Sequence, residues 1–255
     1  MKFAIVADAH VGFNGSLERL ACAVREINSA GVEFVVFLGD LVDARAGSAL
    51  GPLFREFGTV VRALRSPAKF LPGNHDWEWD AADPALAYCT FTGTRSTYGS
   101  FNLAGHHFVL LDTLDGFAEN ARAGKPGASG SLSPAQLEWL RTDLASLNPQ
   151  TPVVIFSHHP PFPADEFRLQ GFADFLAAIA GYHGIPAPSC RIVAVTSGHR
   201  HFRETHVVDG IRFEVVGPLS FGLWDMSEVG YTLVELSGTR VQFTWRPLGP
   251  SPPAP

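Results

Sequence analysis

Apolar positions near the start of the chain fall into two short blocks separated by a helical stripe. KFAIVA (2–7) and EFVVFLG (33–39) are almost continuous apolar runs, and each stops at an aspartate, Asp8 or Asp40. Short apolar runs bounded by polar residues predict buried strands. Between them Leu17, Leu20, Val24 and Ile27 recur at three- and four-residue spacing, with Glu18, Arg19, Arg25 and Glu26 on other faces. That pattern predicts an amphipathic helix and hence a β-α-β unit. A second stripe, Leu50, Leu53, Phe54, Phe57, Val61 and Leu64, predicts another helix. Pro52 is tolerable there because it falls in the first turn, where an N–H has no intrahelical partner. The stripe ends near Ser66-Pro67 and leads into a short strand, Lys69 to Leu71.

Further along, TYGSFNLAGHHFVLLDT (97–113) reads as two strands joined by a turn at Ala104-Gly105. Residues 114–130 have no period, are rich in Gly and Ala, and predict a long exposed loop. Ser133, Pro134 and Gln136 supply a cap, a first-turn proline and a reciprocal capping-box amide before the stripe Leu137, Leu140, Leu144 and Leu147. PVVIFSHHPP (152–161) and RIVAVTSGHRH (191–201) repeat the strand-then-polar pattern, with a helix between them marked by Phe172, Phe175, Leu176 and Ile179. In the final third, FEVVG, GYTLVELSG and TRVQFTW alternate like antiparallel strands. No internal repeat or clean linker interrupts residues 1–248, which predicts a single domain followed by a proline-rich disordered tail, 249–255.

Composition narrows the function classes. Hydrophobic residues make up 46% and charged residues 17%, an ordinary globular mixture. The net charge is −6 and the basic residues are scattered, with lysines at only Lys2, Lys69 and Lys125. A nucleic-acid surface needs clustered Lys and Arg, so a nucleic-acid partner is disfavoured. Cys22, Cys89 and Cys190 show no metal or redox spacing and read as small buried hydrophobes. The apolar start is too short for a signal segment, and no stretch is long enough to cross a membrane, which gives a cytoplasmic expectation.

The chemistry lies where the apolar runs stop. Five polar clusters follow them: Asp8-Ala9-His10, Gly39-Asp40-Leu41-Val42-Asp43, Gly73-Asn74-His75-Asp76, Ser157-His158-His159 and Gly198-His199-Arg200-His201. In crossover-fed sheets, ligands collect at the carboxyl ends of strands, so these clusters are expected to meet. As core packing they would bury carboxylates and imidazoles repeatedly, which is costly unless the groups are paired or metal-bound. Asp8, His10, Asp40, Asn74, His158, His199 and His201 are enough oxygen and nitrogen donors for two ions. The donor types suit manganese or iron, with zinc a further option. Two-metal sites clamp the oxygens of an in-line displacement, which points to phosphoester hydrolysis.

Taken in order, D-x-H, GD-x-x-D, GNHD, a histidine before a proline turn and GH-x-H resemble the calcineurin-like metallophosphoesterase superfamily, over Asp8 to His201. The resemblance implies an α/β fold, a four-layer α-β-β-α sandwich with two mixed β-sheets flanked by helices. By position it implies that Asp8, His10 and His201 hold one metal and Asn74, His158 and His199 the other, with Asp40 bridging. A hydroxide activated between the ions would attack phosphorus in line. His75 would be the general acid, oriented by Asp43, and Asn74 would also reach a phosphate oxygen. Asp76 reads as a carboxylate that stabilises the turn or lies behind the metal ligands. His159 is expected behind the ligands or at the pocket edge and Arg200 at the site rim or in solvent, both candidates for substrate contact. His106 and His107 read as ordinary strand residues, and His183 and His206 as surface residues. Trp77 and Trp79 flank the GNHD turn, as core or as a wall for a planar leaving group.

The histidine at position 10 sets the chain apart from purple acid phosphatases, which GSLSPAQLEWL (130–140) otherwise resembles. With Leu111-Asp112-Thr113 and the His-Pro turn at 158–160, the resemblance is nearest the cyclic-nucleotide and glycerophosphodiester phosphodiesterase branch. The protein serine/threonine phosphatase pattern would continue GD-x-x-D-R-G, whereas Asp43 is followed by Ala44-Arg45-Ala46. The expected activity is hydrolysis of small phosphodiesters. The alternatives are a phosphomonoesterase or nucleotide phosphohydrolase using the same residues, and a non-catalytic metal-binding scaffold, against which the complete donor set argues. The small phosphoester is the expected partner, and the hydrophobic C-terminal strands leave a homodimer open.

Overall fold

The first apolar run becomes strand β1 (Lys2–Val6) and the second β2 (Val35–Leu38), linked by helix α1 (Ser16–Ala30) and paired in parallel. Helix α2 (Leu50–Val61) leads to β3 (Ala68–Leu71), parallel to β2, and a short 3-10 turn spans Asn74–Asp76. Then come α3 (Leu86–Thr92), the hairpin β4 (Gly99–Leu103) and β5 (His106–Leu110), β6 (Gly130–Ser131) and α4 (Pro134–Ala145). The remaining elements are β7 (Pro152–Ser157), β8 (Leu169–Gln170), α5 (Phe172–Ala180), β9 (Arg191–Ser197), β10 (Glu204–Val208), β11 (Ile211–Val215), β12 (Gly230–Ser237) and β13 (Arg240–Pro247). This computed structural model describes residues 1–43, 49–79, 81–116, 129–162, 168–180, 191–220 and 228–249. Cys190, His183, most of the expected loop at 114–130 and nearly all of the expected tail lie outside the described residues.

Two mixed sheets face each other. One runs β13-β12-β1-β2-β3 and the other β10-β11-β9-β7-β5-β4, with β6 and β8 forming a small parallel pair. Alternation along each strand builds the layers. Ala4 and Val6 of β1 join Val35 and Phe37 of β2 under Leu20, Val24 and Ile27 of α1 and Phe54 and Phe57 of α2. Phe3 and Ile5 point the other way, against Phe108, Val154 and Phe156 of the second sheet. Val109, Val153, Ile155 and Val195 on that sheet's far side meet Leu140 and Leu144 of α4 and Phe175 and Ile179 of α5. The expected order, helices, sheet, sheet, helices, is what these three clusters describe.

Departures from expectation have local causes. β10 is an edge strand with alternating partial exposure, and α3 buries only Tyr88, so neither gave a strong pattern. β11 is antiparallel to β10 but parallel to β9, so the final third is not wholly antiparallel. Ser133 caps α4 by accepting the Gln136 N–H at 3.1 Å, but Gln136 does not reciprocate. Its amide instead brackets Asp112, accepting that residue's N–H at 2.9 Å and donating to its carbonyl at 2.7 Å. The Ser133 N–H turns to Asp115. Cys22 and Cys89 are free thiols and only partly buried, packed at the margin of the α1–α2 core rather than within it.

Candidate metal centre

Five strands, β1, β2 and β3 of one sheet and β7 and β9 of the other, end beside one another, and their next residues form the site. Left-handed backbone makes this possible. Asp8, His10, Asp40, His199 and His201 have φ of 55°, 44°, 49°, 68° and 56°. A non-glycine residue pays roughly 1–2 kcal/mol for that conformation, so surrounding contacts must impose it. Here they do: His10 N–H donates to the Asp40 carbonyl at 2.8 Å, Asp8 N–H to the Gly39 carbonyl at 3.2 Å, and His199 N–H to the Asp8 carboxylate at 3.1 Å. Gly39 (φ 82°) is needed because a Cβ there would stand 2.6 Å from Gly73 N.

The donors converge on two foci. At one, His10 Nε2 lies 3.2 Å from His201 Nε2, which is 3.5 Å from Asp8 Oδ1. At the other, His158 Nε2 lies 3.0 Å from Asn74 Oδ1 and 3.2 Å from His199 Nδ1. Asp40 Oδ2 belongs to both, 3.6 Å from His10 Nε2 and 3.3 Å from His158 Nε2. Its other oxygen accepts the His75 N–H at 2.9 Å, which fixes the carboxylate's tilt. All seven expected donors are therefore brought together, and Asp8, His10, Asp40 and His201 form one cluster able to hold a metal.

The chemistry of the set fits cations. His158 Nδ1 donates to the Leu38 carbonyl at 2.7 Å, which turns Nε2 inward toward three acceptor atoms. Lone pairs facing one another at that distance repel unless a cation or proton lies among them. A proton does so when no metal is present: burial alone would lower the His158 pKa, but the charge of Asp40 raises it to about 9. Burial would likewise raise Asp40, yet the charges of His158, His75 and His10 hold it well below the usual carboxylate range. Asp8 is also lowered, chiefly by His201 against the opposing effect of burial.

Around this core, Asp43 holds two imidazoles. Its Oδ1 is 3.2 Å from His75 Nδ1 and its Oδ2 3.4 Å from His10 Nδ1. The sequence pointed to the first contact but not the second, which orients a donor at the first focus as carboxylates commonly orient metal-bound imidazoles. The His75 side chain is 41% exposed, and its pKa, depressed by burial but raised more by Asp40 and Asp43, reaches about 9. Asp76 is fully buried and accepts N–H groups from Gly73, Leu41 and Val42 at 2.8, 2.9 and 3.1 Å, so it ties the GNHD turn to the GD-x-x-D turn. Trp79 Nε1 donates to the Asn74 carbonyl at 3.1 Å, and its ring lies 5.2 Å from that of Trp77.

Of the two candidates for substrate contact, His159 takes the inner of its two expected positions and Arg200 is mostly buried beside Glu204. His159 is wholly buried, not at a pocket edge, with Nδ1 2.7 Å from Thr113 Oγ1 and its ring against His199. Arg200 lies over the Phe202 ring with Nε 3.9 Å from Glu204. Both His106 and His107 are strand residues, His107 bridging Asn102 and Asp143. Thr113 was part of a recognised block, LDT, but nothing in its spacing marked it as a partner of His159. No described helix is long and apolar enough to cross a membrane.

A model of the family described as calcineurin-like phosphoesterase matches residues 1–203. Among curated proteins, the chain is 32% identical over 173 residues to the "Probable cyclic nucleotide phosphodiesterase" of Rhodopseudomonas palustris, covering 64% of this chain and 58% of that one. It is 27% identical over 222 residues to purple acid phosphatase 22 of Arabidopsis thaliana, covering 80% of this chain and 45% of that one. The chain thus spans about half the length of these relatives. Among solved structures, a dimetal phosphatase from Danio rerio has the same fold, with a TM-score of 0.78 at 20% identity over 97% of this chain and 96% of that one.

Proposed function

The chain belongs to the calcineurin-like phosphoesterase family, and on that premise we propose that it hydrolyses small phosphodiesters of the cyclic-nucleotide or glycerophosphodiester kind. The observation that carries the reading is Asp40 Oδ2, shared between two clusters of inward-facing donors. Asp8, His10 and His201 would hold one ion, Asn74, His158 and His199 the other, and Asp40 both; manganese or iron suits the oxygen and nitrogen donors. Bound there, the pair would supply an acidified water and neutralise charge on the phosphate.

The chain's own residues do the rest. Trp79 and the 3-10 turn fix Asn74, whose amide nitrogen is available to a phosphate oxygen while its Oδ1 faces His158. His75 lies beside it, with Nδ1 toward Asp43, which leaves Nε2 to carry the proton delivered to the departing oxygen. In the metal-free chain, against the lowering by burial, the charges of Asp40 and Asp43 raise the His75 pKa to about 9, and the Asp43 contact favours the protonated ring. Asp43 steadies the ring, so donation needs no prior rotation. The phosphodiesterase relative from Rhodopseudomonas palustris favours a diester substrate. Hydrolysis of monoesters is the second reading, favoured by the purple acid phosphatase match over 80% of the chain. Manganese-loaded protein assayed against cyclic nucleotides, glycerophosphodiesters, nucleotides and aryl monoesters tests the choice. Turnover confined to monoesters would reject the diesterase reading.

A further inference from the structure

The Leu111-Asp112-Thr113 block and the strand Gly130–Ser131 meet over His159. Thr113 Oγ1 is 2.7 Å from His159 Nδ1, and the His159 main-chain N–H points to the same oxygen at 3.4 Å. One hydroxyl thus engages ring and backbone of a single residue. The hydroxyl accepts from the N–H and shares a hydrogen bond with Nδ1, so both the backbone and the ring of His159 are held by one oxygen. The ring so held lies 4.1 Å, centroid to centroid, from His199 and 4.9 Å from His158, two donors of the second focus.

A roof closes this arrangement. Gly130 passes so close that a Cβ there would stand 2.8 Å from His159 Cγ. Ser131 N–H donates to the Thr113 carbonyl at 2.7 Å and Gly116 N–H to the Ser131 carbonyl at 3.1 Å, which pins the strand to the LDT block. Asp112 is in turn bracketed by Gln136, so the start of α4 is tied into the same unit. His159 has 0% exposure beneath it. The imidazole is therefore a wedge, gripped by Thr113 on one side, covered by Gly130 and pressed on His199 on the other.

We propose that Thr113 is a positioning residue for the second metal: through His159 it sets the placement of the His158 and His199 imidazoles. This rests on the two-metal reading of the site. It accounts for three features that reading leaves unused: a second buried histidine directly after His158, a glycine where the small strand crosses it, and a buried threonine hydroxyl against that histidine's ring and backbone. Residues of this kind behind metal ligands typically change affinity 10–100-fold when replaced.

The test is manganese titration of the metal-free chain by calorimetry, with wild type, Thr113→Ser, Thr113→Val and Gly130→Ala compared. Wild type must take up two equivalents; fewer would overturn the two-metal reading and this proposal with it. Thr113→Ser keeps the hydroxyl and is expected to bind both ions within about 3-fold of wild type. Thr113→Val, isosteric without the hydroxyl, is expected to weaken one of the two ions at least 10-fold and leave the other unchanged. Gly130→Ala, which pushes His159 from its other side, is expected to weaken the same ion, and it decides the matter if the valine variant does not fold by circular dichroism. Two wild-type affinities in the folded valine variant, or in the alanine variant when the valine one is unfolded, would overturn the proposal. Equal loss in the serine and valine variants would overturn it too.

Discussion

Replacing Gly39 by alanine adds one methyl group at the tightest crossing of the site. A Cβ there would stand 2.6 Å from Gly73 N, 2.7 Å from Gly73 Cα and 2.7 Å from His158 Nδ1, where ordinary contact begins at 3.4 Å. The neighbours must give by about 0.7 Å. None is the loose end of a side chain: one is the backbone leading into Asn74, the other the ring whose Nδ1 grips the Leu38 carbonyl. Left-handed strain of about 1 kcal/mol adds to overpacking of about 1–3 kcal/mol, so stability should fall by roughly 2–4 kcal/mol. Because a misplacement near 1 Å can cost on the order of 100-fold in rate, kcat/KM should fall by tens of fold. Gly31→Ala is the matched control, since Gly31 also has positive φ (65°) but nothing within 4 Å. It should lose about 1 kcal/mol and keep its turnover. The assay pairs urea unfolding with steady-state hydrolysis of an aryl phosphodiester at measured metal content. Wild-type kcat/KM in Gly39→Ala, or an equal loss in Gly31→Ala, would refute the reasoning.

Other consequences follow from the same geometry. His75→Gln should retain both metals by elemental analysis yet lose about 10²–10⁴-fold toward substrates with alkoxide leaving groups and far less toward nitrophenolate, which needs no proton; an equal loss on both would remove His75 from the acid role. Asp40→Asn should lower bound manganese from two ions to at most one per chain and lower the melting temperature shift that manganese produces. Burial raises the Asp112 carboxyl to about 7 from an ordinary 3.8, with Thr97 and the Leu114 N–H only partly offsetting it. The folded chain then holds a proton that the unfolded chain releases, so this group's contribution is most favourable below pH 3.8 and declines as pH rises toward 7. Asp112→Asn should thus match wild type in urea unfolding at about pH 4 and exceed it by up to about 4 kcal/mol at pH 8; a difference independent of pH would contradict the buried-acid assignment.

Much of the site was legible because its grammar is local. A strand that ends in Gly or Asp and is followed by alternating donors can be read from the chain, and five such endings specify both where the donors lie and that parallel strands deliver them. The seven side chains that lie together in the fold were singled out for that reason. What could not be read depends on distant approach. Thr113 and His159 are far apart in sequence, and their contact exists only because β5 and β7 are neighbours in parallel register. Asp43 was visible as a partner for His75, but its second oxygen reaches His10 through the bridge that pairs Val11 with Val42. The Gln136 amide looked like a capping-box residue because spacing alone cannot reveal a better-placed acceptor. α3 and β10 escaped notice since each buries so little that no periodic stripe forms.

The two sheets contribute separate halves of the site: one supplies Asp8, His10, Asp40 and Asn74, the other His158, His199 and His201. Between those halves the sheets meet through aromatic rings: Phe3, stacked on its sheet neighbour Phe34 at 4.6 Å, meets Phe108 and Phe156 of the other sheet edge-on at 5.8 and 6.0 Å. These rings act as a spacer gauge for the two clusters of facing side chains. Thinning one of them would change the spacing between the two halves without touching any of the seven side chains.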